Sequence, residues 1–211
     1  MTNPPRHRRV VVLASGAGST LRALLEAAAE ESYGARVVGV VTDQADAGAL
    51  DIAREAGIAT AVVRLPDFAD RHQWDQALAR TIASFTPDLV LLAGFMRIVG
   101  RPCLERFGGR MINTHPALLP AYPGAHAVSD ALAGGARVTG CTVMIVDAGV
   151  DTGPIVAQAA VEVRDDDNEH TLHERIKGVE RELVATTLGR MAREGWTVSG
   201  RIVRIGPRED S

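Results

Sequence analysis

Asn113 and His115 form an Asn-x-His pattern that Pro116 follows directly. Residues two apart in a β-strand point to the same face of the sheet, so an amide donor and a titratable imidazole can be aimed at one reacting atom. Pro116 ends the strand and fixes the direction of the chain after the histidine. The pattern favours acid–base chemistry at the end of a strand, and a buried, hydrogen-bonded histidine is the alternative interpretation.

A second candidate is the Gly- and Asp-rich stretch 147–154, which carries Asp147 and Asp151. A carboxylate close to His115 would favour the protonated imidazolium form of the ring. A polar hairpin turn has the same composition, since Asp and Gly are common in turns for conformational reasons. The residues alone leave both interpretations open.

The stretch 15–20 (SGAGST) is a candidate anion site, because it lies between a predicted strand and a predicted helix. Glycines let the backbone approach a ligand, and the free N–H groups at the start of a helix attract a phosphate. A dinucleotide fingerprint would have a third glycine where Leu21 stands. The stretch therefore predicts a site for one phosphate, with an ordinary tight turn as the alternative.

Glu180 borders the apolar stripe of the predicted C-terminal helix, where a carboxylate needs a partner. Lys177, Arg181 or solvent could satisfy it, so a structural role is left open. His170 and His173 lie three apart near acidic residues, but no cysteine or third histidine accompanies them. We expect a solvated helix start there and no metal site.

Alternating strand and helix patterns must position these residues. Strands are predicted at 10–13, 37–41, 60–63, 89–93 and 110–114, and helices at 21–28, 45–56 and 71–85. This order predicts an α/β fold with a Rossmann-like, mostly parallel sheet, helices on both faces and right-handed crossovers. Ligands of such sheets bind beyond the carboxyl ends of the strands, so the loops after Leu13, Leu92 and Ile112 should converge.

The C-terminal part follows a different pattern. Two strands at 138–146 and 155–163 have no helix between them, so we expect them to pair as antiparallel neighbours. A long amphipathic helix follows, with apolar residues on one side from Leu172 to Leu188. We expect one domain over residues 1–211 with no linker, and a frayed tail at 205–211.

Composition limits the class of protein. Of the 211 residues, 46% are hydrophobic and 23% are charged, which excludes a disordered chain. The formal net charge of −3 argues against a nucleic-acid partner bound through bulk charge. Two cysteines exclude a disulfide scaffold and favour a reducing compartment. Apolar runs such as 89–96 (LVLLAGFM) are too short to cross a bilayer, so we expect no membrane partner and a cytoplasmic location.

Five motifs in order resemble those of the folate-dependent phosphoribosylglycinamide formyltransferase family. They are 15–19 (SGAGS), 93–98 (AGFMRI), 112–120 (INTHPALLP), 122–124 (YPG) and 150–155 (VDTGPI). The resemblance extends from about residue 9 to about residue 193 and implies the formyltransferase fold. It also implies transfer of the formyl group of 10-formyltetrahydrofolate, a consumed co-substrate, to the amino group of glycinamide ribonucleotide in de novo purine biosynthesis.

The resemblance also implies a role for each matching residue. The implied catalytic residues are Asn113, His115 and Asp151, with Asp151 keeping His115 charged and the other two meeting the negative charge on the formyl oxygen. The implied ribonucleotide contacts are Gly18, Ser19, Thr20, Pro116 and Glu180, with His126 on the same side. The implied folate contacts are Arg71, Met96, Arg97, Ile98, Val99, Asn113, Asp147 and Asp151. The N-terminal half would then bind the nucleotide phosphate, and the C-terminal half the folate.

Three residues depart from the family pattern. Thr20 stands where family members usually have Asn, and we expect altered geometry but retained binding because a hydroxyl still donates. Ala117 replaces a frequent Ser, and Met144 stands where many relatives carry His, so an auxiliary role at that position is in doubt. No departure falls on Asn113, His115 or Asp151.

Other functions are the alternatives. Methionyl-tRNA formyltransferase and formyltetrahydrofolate hydrolase carry extra domains, for which we expect this chain to have no room. The missing third glycine argues against a nicotinamide-dependent oxidoreductase. A non-catalytic folate-binding module is disfavoured by the complete set of Asn113, His115 and Asp151. The oligomeric state is left open, with a homodimer as one alternative.

Overall fold

The computed structural model describes residues 7–206. The strands are β1 (Arg8–Leu13), β2 (Ala35–Thr42), β3 (Thr60–Val62), β4 (Leu89–Leu92), β5 (Met111–His115), β6 (Val138–Ile145), β7 (Ile155–Glu162), β8 (Trp196–Ser199) and β9 (Ile202–Ile205). The α-helices are α1 (Ser19–Ala28), α2 (Gly48–Glu55), α3 (Arg71–Ser84), α4 (Arg101–Phe107), α5 (Ala127–Ala133) and α6 (Glu169–Glu194).

The strands of the described residues form one sheet in the order β3-β2-β1-β4-β5-β6-β7-β9-β8. The five strands from β3 to β5 run parallel, whereas β6 is antiparallel to both β5 and β7. The predicted mostly parallel sheet with antiparallel C-terminal strands is thus confirmed. The carboxyl ends of β1, β4 and β5 lie side by side, which brings the loops after them together at one edge.

Helices cover both faces of the sheet, because the central strands are apolar on both sides. In β1, Val10 and Val12 pack into the core with α1, α2 and α6, whereas Val11 and Leu13 pack into the core with α3 and α4. All four are fully buried. A continuous β-branched run is typical of a parallel strand between two helical layers.

Several short elements were not predicted. Helices α4 and α5 have seven residues each, and β8 and β9 have four each, which is too short for a clear periodic signal. Of the tail expected to fray at 205–211, Ile205 ends β9 and pairs with Trp196. Residues 207–211 of the expected tail lie outside the described residues. Between residues 7 and 206, no helix is long and apolar enough to span a membrane.

Candidate active site

The side chains of β5 point alternately to the two faces of the sheet. Met111 packs into the core with α3 and α4, whereas Ile112 packs into the core with α1 and α6. Because side chains alternate along a strand, Asn113 and His115 share the face of Met111. Thr114 faces α6, where its hydroxyl donates a hydrogen bond to Glu180 Oε1 at 2.8 Å. One five-residue strand therefore supplies groups to two sides of the site.

The ring of His115 is buried between two acceptors. Its Nδ1 atom lies 3.3 Å from Asp151 Oδ2, and its Nε2 atom lies 2.7 Å from the carbonyl oxygen of Tyr122. A neutral imidazole has only one N–H group and can satisfy only one of these acceptors. The ring therefore has the Tyr122 carbonyl oxygen at hydrogen-bond distance from Nε2 and the Asp151 carboxylate at ion-pair distance from Nδ1.

Asp151 lies in the loop between β6 and β7, and its position is fixed from several directions. Its Oδ2 atom also accepts a hydrogen bond from the Gly124 N–H at 2.8 Å. Its backbone is in the left-handed region, with φ of 54°. Earlier in the loop, Asp147 Oδ1 accepts hydrogen bonds from the Gly149 N–H at 3.0 Å and the Thr152 hydroxyl at 2.7 Å. The carboxylate of Asp151 is therefore held in place before any ligand binds.

A cavity of about 290 Å³ lies between this loop and the loop after β4. Of the predicted site residues, Met96, Arg97, Ile98, Val99, Asn113, Asp147 and Asp151 line it. Exposed apolar side chains of Met96, Ile98 and Val150 are among the lining groups. Within residues 7–206 the side-chain amide of Asn113 makes no hydrogen bond, so it is free to donate to a ligand there.

Arg71, a predicted folate contact, is not among the residues that line the cavity. Its guanidinium donates to the carbonyl oxygen of Ile98 and to Asp75 Oδ1, and it lies 4.8 Å from the ring centre of Trp74. Arg71 therefore supports one wall of the cavity from behind. Arg97 also contacts a carboxylate, since its Nε donates to Asp43 Oδ2 at 2.8 Å.

The predicted phosphate site lies at the start of α1. Gly18 precedes the helix with φ of 78°, and a Cβ atom there would lie 2.8 Å from Ala49 Cα, so only glycine fits. No side chain of the described residues caps this helix start, so its first N–H groups are available to an anion. Ser19 is exposed and Thr20 half-buried. None of these residues lines the cavity described above.

Glu180 finds a partner that the sequence did not indicate. The expected alternatives were Lys177, Arg181 and solvent, but Lys177 pairs with Glu174 at 2.7 Å, and Glu180 accepts a hydrogen bond from Thr114. Burial raises the pKa of Glu180 above its usual value, and the hydrogen bond from Thr114 and the nearby His115 only partly oppose this. A carboxylate in this environment gains from a ligand that donates hydrogen bonds.

The remaining predicted contacts lie on the loop after β5. Pro116 follows His115 directly and is half-buried, and His126 is exposed immediately before α5. Tyr122 and Gly124, whose backbone atoms contact His115 and Asp151, come from the same loop and were missed as site residues. The YPG motif was the only sequence signal for them. Between residues 7 and 206, no three His, Cys, Asp or Glu side chains are grouped so that they could hold a metal ion.

Comparison with known protein families identifies the family to which these site residues belong. The model of the family described as "Formyl transferase" matches residues 8–188. The chain belongs to the formyl transferase family. The match includes β1 to β7, the phosphate-loop candidate, Asn113, His115 and Asp151, and most of α6.

Individual members of the formyl transferase family resemble the chain over most of its length. A phosphoribosylglycinamide formyltransferase of Mycobacterium tuberculosis (strain H37Rv) is 54% identical over 203 residues, covering 96% of this chain and 94% of the relative. A "trifunctional purine biosynthetic protein adenosine-3" of Drosophila melanogaster is 44% identical over 177 residues, which cover 83% of this chain and 13% of that protein. Among solved structures, glycinamide ribonucleotide transformylase 1 from Symbiobacterium toebii superimposes with a TM-score of 0.92 at 40% identity, covering 96% of this chain and 95% of that chain.

Proposed function

We propose that this formyltransferase transfers the formyl group of 10-formyltetrahydrofolate to the amino group of glycinamide ribonucleotide, in purine biosynthesis. The observation that carries the proposal is the contact of His115 with Asp151 beside a cavity that Asn113 lines. Full-length similarity to phosphoribosylglycinamide formyltransferases selects this acceptor among formyl-folate reactions.

Formyl-folate enters the cavity between 96–99 and 147–153 in this proposal. The exposed side chains of Met96, Ile98 and Val150 supply apolar surface for its ring system. Asp147 and Asp151 supply acceptors for its N–H groups. A site that combines an apolar lining with a few fixed polar groups is typical of small-molecule pockets.

The ribonucleotide binds on the other side of β5. Its phosphate meets the first N–H groups of α1 with Ser19 and Thr20, and its sugar hydroxyls donate to Glu180. Thr114 on β5 points to Glu180 on α6, whereas Asn113 points to the opposite face of the strand and lines the cavity, so the two substrates approach β5 from different sides in this proposal. In this proposal the amine of the ribonucleotide reaches the formyl group at the carboxyl end of β5.

The amine attacks the formyl carbon, and negative charge develops on the formyl oxygen. The unengaged amide of Asn113 donates to that oxygen. His115 acts from its Nδ1 side in this proposal, because Nε2 is engaged by the Tyr122 carbonyl oxygen at 2.7 Å, whereas Nδ1 has only the longer 3.3 Å contact with Asp151. The loss of one such donor typically costs about 2.7–4 kcal/mol of transition-state stabilisation.

Transfer is completed when the bond between the formyl carbon and the folate nitrogen breaks. The amine loses one proton and the departing folate nitrogen gains one, so the step needs no external oxidant or reductant. His115 or an ordered water relays this proton, and Asp151 stabilises the ring in its charged form. Formylglycinamide ribonucleotide and tetrahydrofolate are the products.

The direct test measures consumption of 10-formyltetrahydrofolate by the purified protein with and without glycinamide ribonucleotide. Transfer predicts consumption that depends on the ribonucleotide and an equal amount of formylated product. Consumption without the ribonucleotide indicates the hydrolase alternative, and binding without consumption indicates a folate-binding module. Either of these results contradicts the proposal.

We further infer that residues 1–211 act as one domain in the cytoplasm, without a nucleic-acid partner. The continuous sheet from β1 to β9 supports a single unit, and the two buried free cysteines are consistent with a reducing compartment. Whether the enzyme is a homodimer is decided by its mass in solution, which light scattering after size-exclusion chromatography measures.

A further inference from the structure

Asp43, directly after β2, holds groups from two different loops with its two carboxylate oxygens. Its side chain has no exposed surface. Oδ1 accepts a hydrogen bond from the Ser15 hydroxyl at 2.5 Å. Oδ2 accepts from Arg97 Nε at 2.8 Å and from Gln44 Nε2 at 2.9 Å. A buried carboxylate with donors on both oxygens is a rigid connection between the chain segments that supply them.

Ser15 extends this connection to the backbone of the cavity wall. Its hydroxyl oxygen accepts a hydrogen bond from the Met96 N–H at 2.9 Å, and its own N–H donates to the Gly94 carbonyl oxygen at 3.1 Å. Ser15 is also the first residue of the stretch that leads to Gly18 and α1. Asp43, Ser15 and Arg97 therefore link the start of the phosphate-loop stretch to the segment 94–97.

The connection depends on the negative charge of Asp43. Burial raises the pKa of the carboxyl group, but the hydrogen bonds from Ser15, Arg97 and Gln44 together outweigh burial and leave the pKa below its usual value. An Asn side chain has nearly the same shape but no charge, and it can accept from Arg97 and Gln44 only if its N–H₂ group faces Ser15, whose hydroxyl must then accept instead of donate. The substitution Asp43→Asn therefore weakens the connection without opening a large cavity.

We propose that Asp43 is a positioning residue that holds the folate-side segment 94–97 against Ser15 of the phosphate-loop side, so that both substrate sites depend on one buried carboxylate. Asp43 does not line the cavity and acts through Ser15 and Arg97. The assignment of the two sites to folate and ribonucleotide rests on the proposed function, whereas the connection between the loops can be tested without any substrate.

The first experiment measures amide hydrogen exchange in the ligand-free protein. In Asp43→Asn the Met96 amide should exchange about tenfold faster than in the wild type, because its acceptor Ser15 is no longer fixed by a charged partner. Ser15→Ala removes the acceptor itself and should have at least the same effect. The matched control is Asp51→Asn, an exposed carboxylate paired with Arg54 on α2, which should leave Met96 unchanged. Unchanged Met96 exchange in Asp43→Asn overturns the proposal.

The second experiment measures kcat and both KM values. We expect the KM for formyl-folate and the KM for ribonucleotide to rise about tenfold in Asp43→Asn, with kcat within about threefold of the wild type. A purely structural defect would instead reduce the active fraction, and hence kcat, with unchanged KM. A rise in only one KM, or in neither, contradicts a shared connection.

Arg97→Gln and Ser15→Ala provide the test if Asp43→Asn does not fold. Because both residues contact Asp43, the effects of the two substitutions on the KM for ribonucleotide, which neither side chain is assigned to contact, should be less than additive in the double variant, and full additivity overturns the proposal. If the wild type shows no ribonucleotide-dependent transfer, the proposed function fails. The exchange of the Met96 amide then still decides whether Asp43 connects the loops.

Discussion

The Nδ1 atom of His115 lies 3.3 Å from Asp151 Oδ2, although one residue ends β5 and the other belongs to the loop after β6. The same Asp151 oxygen accepts a hydrogen bond from Gly124 N–H, which belongs to the loop after β5. Asp151 therefore fixes the histidine and the loop that follows it at the same time. Loss of its charge should affect the reaction more than it affects folding.

The first prediction concerns this pair. Asp151→Asn and His115→Ala should each lower kcat about a hundredfold or more, because each weakens a donor to the developing charge. Asn suits the backbone at 151 because it tolerates a φ of 54° better than most residues, so the variant isolates the charge. Steady-state assays with purified protein measure the effect.

Asp165→Asn, in an exposed ion pair with Arg137, is the control and should retain full activity. A kcat near that of the wild type in either variant removes the proposed mechanism.

The second prediction concerns the start of α1. Ser19→Ala and Thr20→Val should each raise the KM for ribonucleotide about three- to tenfold and leave the KM for formyl-folate unchanged, because each removes one hydroxyl donor to the phosphate. Thr20→Ser keeps the hydroxyl and should restore affinity. Ser84→Ala, on the exposed end of α3, is the control. Unchanged ribonucleotide affinity in both Ser19→Ala and Thr20→Val shows that the phosphate binds elsewhere.

Periodic patterns in the sequence predicted the features that depend on burial. The run from Val10 to Leu13 predicted a central parallel strand because both of its faces are buried. The spacing of Asn113 and His115 predicted a shared face because the side-chain period of a strand is fixed by its geometry. These inferences need only local physics, and the structure confirms them.

Contacts between distant segments could not be predicted in the same way. The carbonyl oxygen of Tyr122 contacts His115, and a backbone atom has no residue type that a pattern could reveal. Asp43 resembled an ordinary residue at a strand end, and only the folded chain brings it to Ser15 and Arg97. The partner of Glu180 proved to be Thr114, which depends on how α6 packs against β5.

The third prediction concerns the packing of the loop that carries Asp151. A Cβ atom at Gly153 would lie 1.7 Å from the carbonyl oxygen of Ile145, so the backbone must move to admit it. Gly153→Ala should lower the free energy of unfolding by about 1–3 kcal/mol and weaken folate binding, since the loop lines the cavity. Gly178→Ala, inside α6 with 3.9 Å to its nearest neighbour, should instead stabilise the protein by up to about 1 kcal/mol. Denaturant titration of both variants measures the contrast, and equal stabilities would mean that the loop is not tightly packed.

The fourth prediction concerns Glu180, where binding and stability should oppose each other. Glu180→Gln keeps an acceptor for Thr114 but loses the charge, so the KM for ribonucleotide should rise about tenfold. The same substitution removes a carboxylate whose ionisation is disfavoured by burial. Near neutral pH the variant should therefore unfold at a higher temperature than the wild type, which thermal unfolding followed by circular dichroism measures.

The pH dependence of this gain follows from the raised pKa. The native state holds the Glu180 proton to a higher pH than the unfolded chain does, whose carboxyl titrates near the ordinary value of 4.5. The contribution of Glu180 to the stability of the wild type is fully present below pH 4.5 and is lost as the pH rises through the pKa of the folded state. The Tm gain of Glu180→Gln should therefore grow between pH 4.5 and the folded-state pKa and level off above it. Glu174→Gln is the control on the same helix, because Lys177 lowers the pKa of Glu174 and the sign is reversed. A Tm gain that is independent of pH would show that the burial of charge at Glu180 is not what the substitution relieves.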